Sequence, residues 1–315
     1  QDFTTGSHSL FAKARILSLN VNSMDAAKWG SVALVADARM GLTQLTESLQ
    51  DWQAAPDWTR QAKALAAQWN VRVTELTQDV PQDTLPYDAE VIGAVRDSLN
   101  DAGGNSGLND VVVCAAGTLP AELHKLWRAS LPGNYHMEYG YSCMGYEIAG
   151  ALGVKMARPA QEVIVMVGDG SYMMMNSEIA TTVLLGKKLI IVVLDNRGYG
   201  CIQRLQTASG SPAFNNLLDD SYHVNASAID FVAHAASMGA KAVKASDIKS
   251  LEAELAAAKG SDRPVVIVID TDPMPSTEAG GSWWDVAVPE VSTRPGVQAA
   301  RKAYETGLKT QRLAD

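Results

Sequence analysis

Cysteine is scarce in this sequence: three among 315 residues, Cys114, Cys143 and Cys201, widely spaced and without a CxxC pair. That disfavours both a disulfide framework and a zinc site. Long apolar runs are missing as well. Runs such as Val163 to Val167 and Leu189 to Leu194 hold five or six residues, against the ~20 that a membrane span needs. Positive charge is in deficit, with 26 Lys and Arg against 35 Asp and Glu and a formal net charge of -9. A general nucleic-acid binder needs a basic face to displace counterions, so that class is disfavoured. No charged stretch followed by an apolar one opens the chain, so no secretory signal is expected and the cytoplasm is the expected compartment. Internal repeats and low-complexity tracts are absent. What is present is 47% hydrophobic and 19% charged residues, enough for a sizeable core in one large domain or two ordinary ones.

Gln1 is not an initiator, and Arg15–Val21 reads as a buried strand with little lead-in. A short strand Val32–Val35 follows, then helices from about Gly41 to Trp52 and Asp57 to Trp69, with Leu42, Leu45 and Leu49 at helical spacing. These pieces (residues 1–75) look like the closing units of an α/β domain whose earlier strands lie elsewhere, so a fragment or a separately encoded half is expected. Residues 76–86 are polar, hold Pro81 and Pro86 and lack periodicity, as a linker does.

Beyond the linker, apolar β-branched strands (Asp110–Ala115, Glu162–Val167, Leu189–Leu194, Lys241–Val243, Val265–Ile269) alternate with helices near Ala89–Leu99, Ala121–Trp127, Met144–Met156, Met174–Leu185, Ile229–Met238 and Ile248–Ala258. Continuous rather than alternating hydrophobicity in such strands means an α/β fold, a parallel sheet covered by helices on both faces, over residues 87–272. Its ligands belong beyond the carboxyl ends of the strands. Residues 273–315, with Gly280-Gly281, Trp283-Trp284 and a basic terminal helix, read as a tail wrapped over the body. The tryptophans fit either a lid or an aromatic anchor, and Met173-Met174-Met175 reads as core.

The chemistry concentrates in Gly168-Asp169-Gly170-Ser171, just past one apolar strand, and Asp195-Asn196-Arg197-Gly198-Tyr199-Gly200, just past the next. The 27 positions from Asp169 to Asn196 are one crossover of loop, helix and strand. A carboxylate and an amide oxygen therefore emerge at one sheet edge, beside the carbonyls of a glycine turn. So few protein ligands suit Mg²⁺ completed by phosphate and water better than a calcium cage. Gly168 and Gly170 allow close backbone approach, the Ser171 amide opens a helix, and Gly198 and Gly200 repeat the device, so a metal-bridged diphosphate is the expected ligand.

Gly168-Asp169-Gly170, 24 intervening residues and Asp195-Asn196 resemble the signature of thiamine-diphosphate-dependent enzymes, with Asp195 departing from the first asparagine of that signature. The resemblance implies Mg²⁺ held by Asp169, Asn196 and the Gly198 carbonyl, and a thiamine-diphosphate-binding fold preceded by the end of a Rossmann-like central domain. Met144-Gly145 resembles the turn whose bulky side chain pushes between the two rings of the cofactor, although helix packing alone also accounts for Met144. The backbone near Ser142 would contact the aminopyrimidine, and Gly117-Thr118-Leu119 a second part of the diphosphate. Gly168, Gly170, Ser171, Asn196, Gly198, Tyr199 and Gly200 complete the implied cofactor contacts.

The stretches Leu119–Trp127, Tyr135–Tyr146, Gly198–Ile202 and Ser282–Val286 narrow the resemblance to a subgroup that hydrolyses a C–C bond and opens a polyhydroxylated cyclic 1,2-dione in inositol breakdown. Acetolactate synthase or 2-oxo-acid decarboxylase chemistry is the alternative, as is a cofactor-binding half that is inert alone. The resemblance also implies a homodimer or homotetramer. It places the activating glutamate on a pyrimidine-binding domain outside this chain, and that role is not assigned to Glu138, Glu147 or Glu178. His124 and His136 are candidate acid–base groups by residue type, with packing or surface roles as the alternative.

Overall fold

The structure, a computed structural model, describes all residues except 1–5, 12, 80–83, 101–109, 139, 226, 279 and 313–315. The centre of the expected linker and the glycine-rich turn before the strand at 110 thus lie outside the described residues. Two compact units are present. One comprises Gln1–Gln68, Ala208–Ser211 and Glu278–Asp315, the other Trp69–Thr207 and Pro212–Thr277. The division falls inside a single helix, Pro56–Leu76, where the sequence reading places a linker at 76–86, and the last residues group with the first unit.

The first unit holds a two-stranded parallel sheet, β1 (Leu17–Asn20) and β2 (Val32–Val35), registered from Leu17 opposite Val32 to Asn20 opposite Val35. The expected buried strand is shorter and largely uncovered: Ser18 alone is buried in β1, and Leu17 is 51% exposed. The first of the two expected helices, Ala38–Ser48, starts before the expected Gly41 because the Asp37 carboxylate accepts from the amides of Arg39 and Met40, satisfying two donors that a helix N-terminus leaves free. Pro56 opens the second helix, a position where its missing N–H costs nothing. Trp284 is an anchor rather than a lid. Its backbone N–H donates to Ser7 Oγ at 2.9 Å and its ring packs edge-on against Tyr304.

The second unit is built on six parallel strands: β3 (Val111–Cys114), β4 (Tyr135–Met137), β5 (Val163–Gly168), β6 (Ile190–Asp195), β7 (Lys241–Ala245) and β8 (Val265–Asp270), in the order β4-β3-β5-β6-β8-β7. The valine and isoleucine runs bury both faces. Ile164 and Met166 pack into one core with Leu123, Leu251 and Leu255, whereas Val163, Val165 and Val167 pack into another with Ile148, Ile179 and Phe231. The chain lays β4 to one side of β3 and β5 to the other, so the order reverses between β3 and β5. Such switch points open a crevice at the carboxyl ends.

Two expectations need correction. The helix expected from Met174 begins at Glu178, preceded by a four-residue turn of helix, Asp169–Tyr172. Met173, Met174 and Met175 stand between them, 44–52% exposed rather than in the core. A helix at Gly200–Ala208 follows the second glycine turn and was not anticipated. Among the described residues, no helix is long and apolar enough to cross a membrane. Ile191, fully buried at the centre of the sheet, tests this core: Ile191→Ala should cost about 2–5 kcal/mol in urea unfolding, as deletions of this size do in close-packed interiors.

Candidate functional site

β5 and β6 are neighbours, with Gly168 opposite Leu194. The residues that follow, Asp169 and Asn196, therefore leave the sheet at the same edge. The Asn196 side-chain oxygen lies 2.9 Å from the Gly198 carbonyl oxygen and 3.2 Å from Asp169 Oδ1. Turned by 180°, the same amide presents its nitrogen and donates to both. With oxygen inward, three acceptors face one another without a proton to share, an arrangement satisfied by a cation among them. A carboxylate, an amide oxygen and a backbone carbonyl are the donor set of a hard ion such as Mg²⁺. Among the described residues, no group of three or more His, Cys, Asp or Glu could hold a metal.

Asp169 is 7% exposed. Burial, reinforced by the nearby charge of Asp195, raises its pKa to about 7, although the amides of Gly170, Gly198 and Asn196 pull the other way. A charge so poorly solvated favours a cationic partner.

Beside these oxygens opens a cavity of about 380 Å³. All twelve residues singled out from the sequence as cofactor contacts line it: Gly117, Thr118, Leu119, Ser142, Met144, Gly168, Gly170, Ser171, Asn196, Gly198, Tyr199 and Gly200. They arrive from four segments, the turns after β3, β5 and β6 and the loop before helix Tyr146–Ala157. Left-handed backbone recurs here, at Gly117 (φ 92°), Ser142 (φ 53°), Gly145 (φ 92°), Arg197 (φ 60°) and Gly198 (φ 145°). Such clustering of costly backbone is typical of binding sites. At Gly198 a Cβ would also lie 2.4 Å from the Asn216 carbonyl oxygen.

His124 and His136 are not in the cavity wall. Tyr146 Oη lies 2.6 Å from His136 Nε2, and Tyr135 Oη lies 3.4 Å from His124 Nδ1. Residue type alone suggested their role, and position does not support it. Ala116, Leu194, Cys201, Ile202 and Asp88 line the cavity without having been singled out.

Glu147, also passed over, lies beneath the wall, 1% exposed. Its carboxylate accepts from Ser171 Oγ at 2.8 Å, from the Gly145 amide at 3.0 Å and from the Ala116 amide at 3.4 Å. Three of the four segments are thus tied to one side chain, although burial pushes its pKa up. Its place on the first turn of a helix, where acidic residues are common, hid this role.

Comparison with known proteins fits this geometry. Residues 115–269 match the family described as thiamine pyrophosphate enzyme, C-terminal TPP binding domain. The chain is 37% identical to the 3D-(3,5/4)-trihydroxycyclohexane-1,2-dione hydrolase of Geobacillus thermodenitrificans, over 99% of this chain and 52% of that protein. It is 34% identical to the protein of the same name from Bacillus subtilis, over 98% and 51%. The chain therefore spans about half the length of the curated relatives it matches. The solved Rhodococcus jostii RHA1 thiamine diphosphate-dependent 4-hydroxybenzoylformate decarboxylase shares the fold with a TM-score of 0.54 at 18% identity, covering 64% of this chain and 35% of that one. The α/β fold and the family resemblance read from the sequence are both borne out.

While the Gly145 amide keeps Ser171 Oγ at 2.8 Å, Glu147→Ala strands the buried Ala116 amide and the Ser171 hydroxyl. It should lower stability by at least about 1.5–3 kcal/mol, the range for hydrogen bonds to charged groups, as read by denaturant unfolding; Glu147→Gln, keeping one acceptor oxygen, should lose less.

Proposed function

We propose that this chain supplies the diphosphate- and metal-binding half of a thiamine-diphosphate- and Mg²⁺-dependent C–C hydrolase. The substrate is a polyhydroxylated cyclic 1,2-dione, opened to a 5-deoxy-glucuronate-type acid in myo-inositol degradation. One observation carries this reading: the Asp169 carboxylate, the Asn196 side-chain amide and the Gly198 carbonyl converge beside a cavity walled by glycine turns. The similarity to trihydroxycyclohexane-1,2-dione hydrolases over nearly the whole chain supports the substrate class.

When bound, the cofactor supplies the carbon-acid chemistry that breaks a bond next to a carbonyl. The protein's part is binding and orientation. Asp169, Asn196 and the Gly198 carbonyl would hold the ion, and the turns at 117–119, 168–171 and 198–200 would receive the diphosphate on backbone amides. Met144, in the wall beside Ser142, would present an apolar surface to the cofactor. Fixing one end of the cofactor far from the reacting carbon converts binding energy into orientation.

The activating carboxylate comes from a pyrimidine-binding domain. Glu147 is already committed to three donors, and Glu138 accepts from the amides of Tyr141 and Cys143. Residues 1–75 would then end a central domain, 76–86 link it, 87–272 hold the cofactor and 273–315 close the chain. A homodimer or homotetramer is part of the same reading. The exposed Tyr141, Met173, Met174, Met175 and Leu184 offer apolar surface for a covering subunit. The three unpaired cysteines support a reducing compartment, the cytoplasm.

Titrating Mg²⁺ and thiamine diphosphate against tryptophan fluorescence tests the site. Saturable quenching is expected, weakened by more than about 100-fold in Asp169→Asn, since loss of even an outer-shell partner costs ~10–100-fold in metal affinity. Equal binding by the variant rejects the site. A substrate panel on the complete assembly tests the reaction: the dione should be opened, and consumption of pyruvate instead rejects it.

A further inference from the structure

Asp88 opens the helix Asp88–Asn100 and stands in the wall of the same cavity, only 6% exposed. Among the described residues its carboxyl has no hydrogen-bond partner. Its charged surroundings are few. Arg204, on the helix after β6, is the cation acting on it, and Glu122, on the helix after β3, is the opposing anion, itself bonded to Lys125 and to the Thr277 amide. The buried thiol of Cys114, on β3, also feels Asp88 and stays protonated, burial pushing its pKa up. Arg204 does not form an ion pair with Asp88. Its guanidinium donates to the carbonyls of Pro273 and Pro275 and to Thr118 Oγ1. Through Arg204, Asp88 belongs to the Thr118 end of the cavity, the end that the proposed reading gives to the diphosphate. Burial, partly offset by Arg204, raises its pKa to about 7.

An ionised carboxylate in that wall would face the negative charge of a diphosphate across a poorly solvated gap, which is repulsive. A protonated one, lining the cavity and without a hydrogen-bond donor of its own among the described residues, has an O–H to give to a ligand there. We propose that Asp88 enters the loaded site as a neutral carboxylic acid that donates a hydrogen bond to the anionic diphosphate, so that ligand binding takes up a proton. This rests on the cofactor reading above and adds to it an acid that selects for the anionic end of the ligand. Glu147 cannot play this part, because its oxygens already accept from three donors.

The test is calorimetric titration of the whole protein with thiamine diphosphate, and separately with inorganic pyrophosphate, at saturating Mg²⁺ from pH 6 to 9 and in two buffers of different ionisation enthalpy. At pH 8 both ligands are expected to bind with uptake of up to one proton. Relative to Asp88→Asn, wild-type affinity should fall about tenfold for each pH unit above the carboxyl's pKa, the weight of one required proton. The ratio between the two proteins isolates Asp88, because the variant keeps every other titrating group. Circular dichroism shows whether Asp88→Asn is folded; if it is not, the sign of the wild-type proton exchange at pH 8 decides alone, and proton release overturns the proposal. Binding with a pH-independent ratio overturns the proposal and leaves the cofactor reading standing. No binding of either ligand at any pH overturns both.

Discussion

Convergence of a side-chain amide, a backbone carbonyl and a carboxylate at two strand tips is the constraint on which the rest of this molecule turns. The amide of Asn196 reaches the Gly198 carbonyl oxygen at 2.9 Å and Asp169 Oδ1 at 3.2 Å, and something must hold them there. The holding is done by the sheet. β5 and β6 run parallel with Gly168 opposite Leu194, so their next residues are fixed side by side. A slip of one residue would turn every side chain of the strand to the other face, and both faces are packed with valine and isoleucine. The strands that carry Asp169 and Asn196 to one edge are thus held by burial on both faces, far from any charge.

Around this fixed pair the loops are held in conformations that an unsupported chain would leave. Five positions about the cavity adopt positive φ, two of them at Ser142 and Arg197 rather than at glycine. Backbone of this kind persists when its surroundings over-determine it. Glu147 is the chief means here, gathering Ser171, Gly145 and Ala116. Those three donors offset part of the cost of burying its carboxylate, and burial still holds its pKa above the usual range.

Much of this was legible from the residues. The central strands announce themselves as short apolar β-branched runs, and the glycine turns that follow β5 and β6 supply residues that line the cavity. Legibility fails where the signal is short or shared. β4 is three residues long with a histidine at its centre, too brief for a periodic pattern. The methionine run at 173–175 is apolar and still exposed, since it lies in a turn between two helices. Asp88 and Glu147 occupy first turns of helices, where acidic residues serve the helix dipole so often that residue type carries no message. Their roles come from burial alone, and burial of one polar residue on an otherwise ordinary helix is a tertiary fact. The same holds for His124 and His136, whose tyrosine neighbours no pattern in the sequence foretells.

Asn196 can answer its two neighbours in either of two ways, with a nitrogen that donates or with an oxygen that shares a cation. The spacing at the strand tips is the same in both. Unlike domains whose folding energy is the metal's binding energy, one built this way stands ready to be loaded. Without a cation, the same amide is free to turn its nitrogen toward both oxygens. A cation taken up by these groups would add its binding free energy to the stability of the fold, so its scarcity would leave the molecules assembled but shorter-lived.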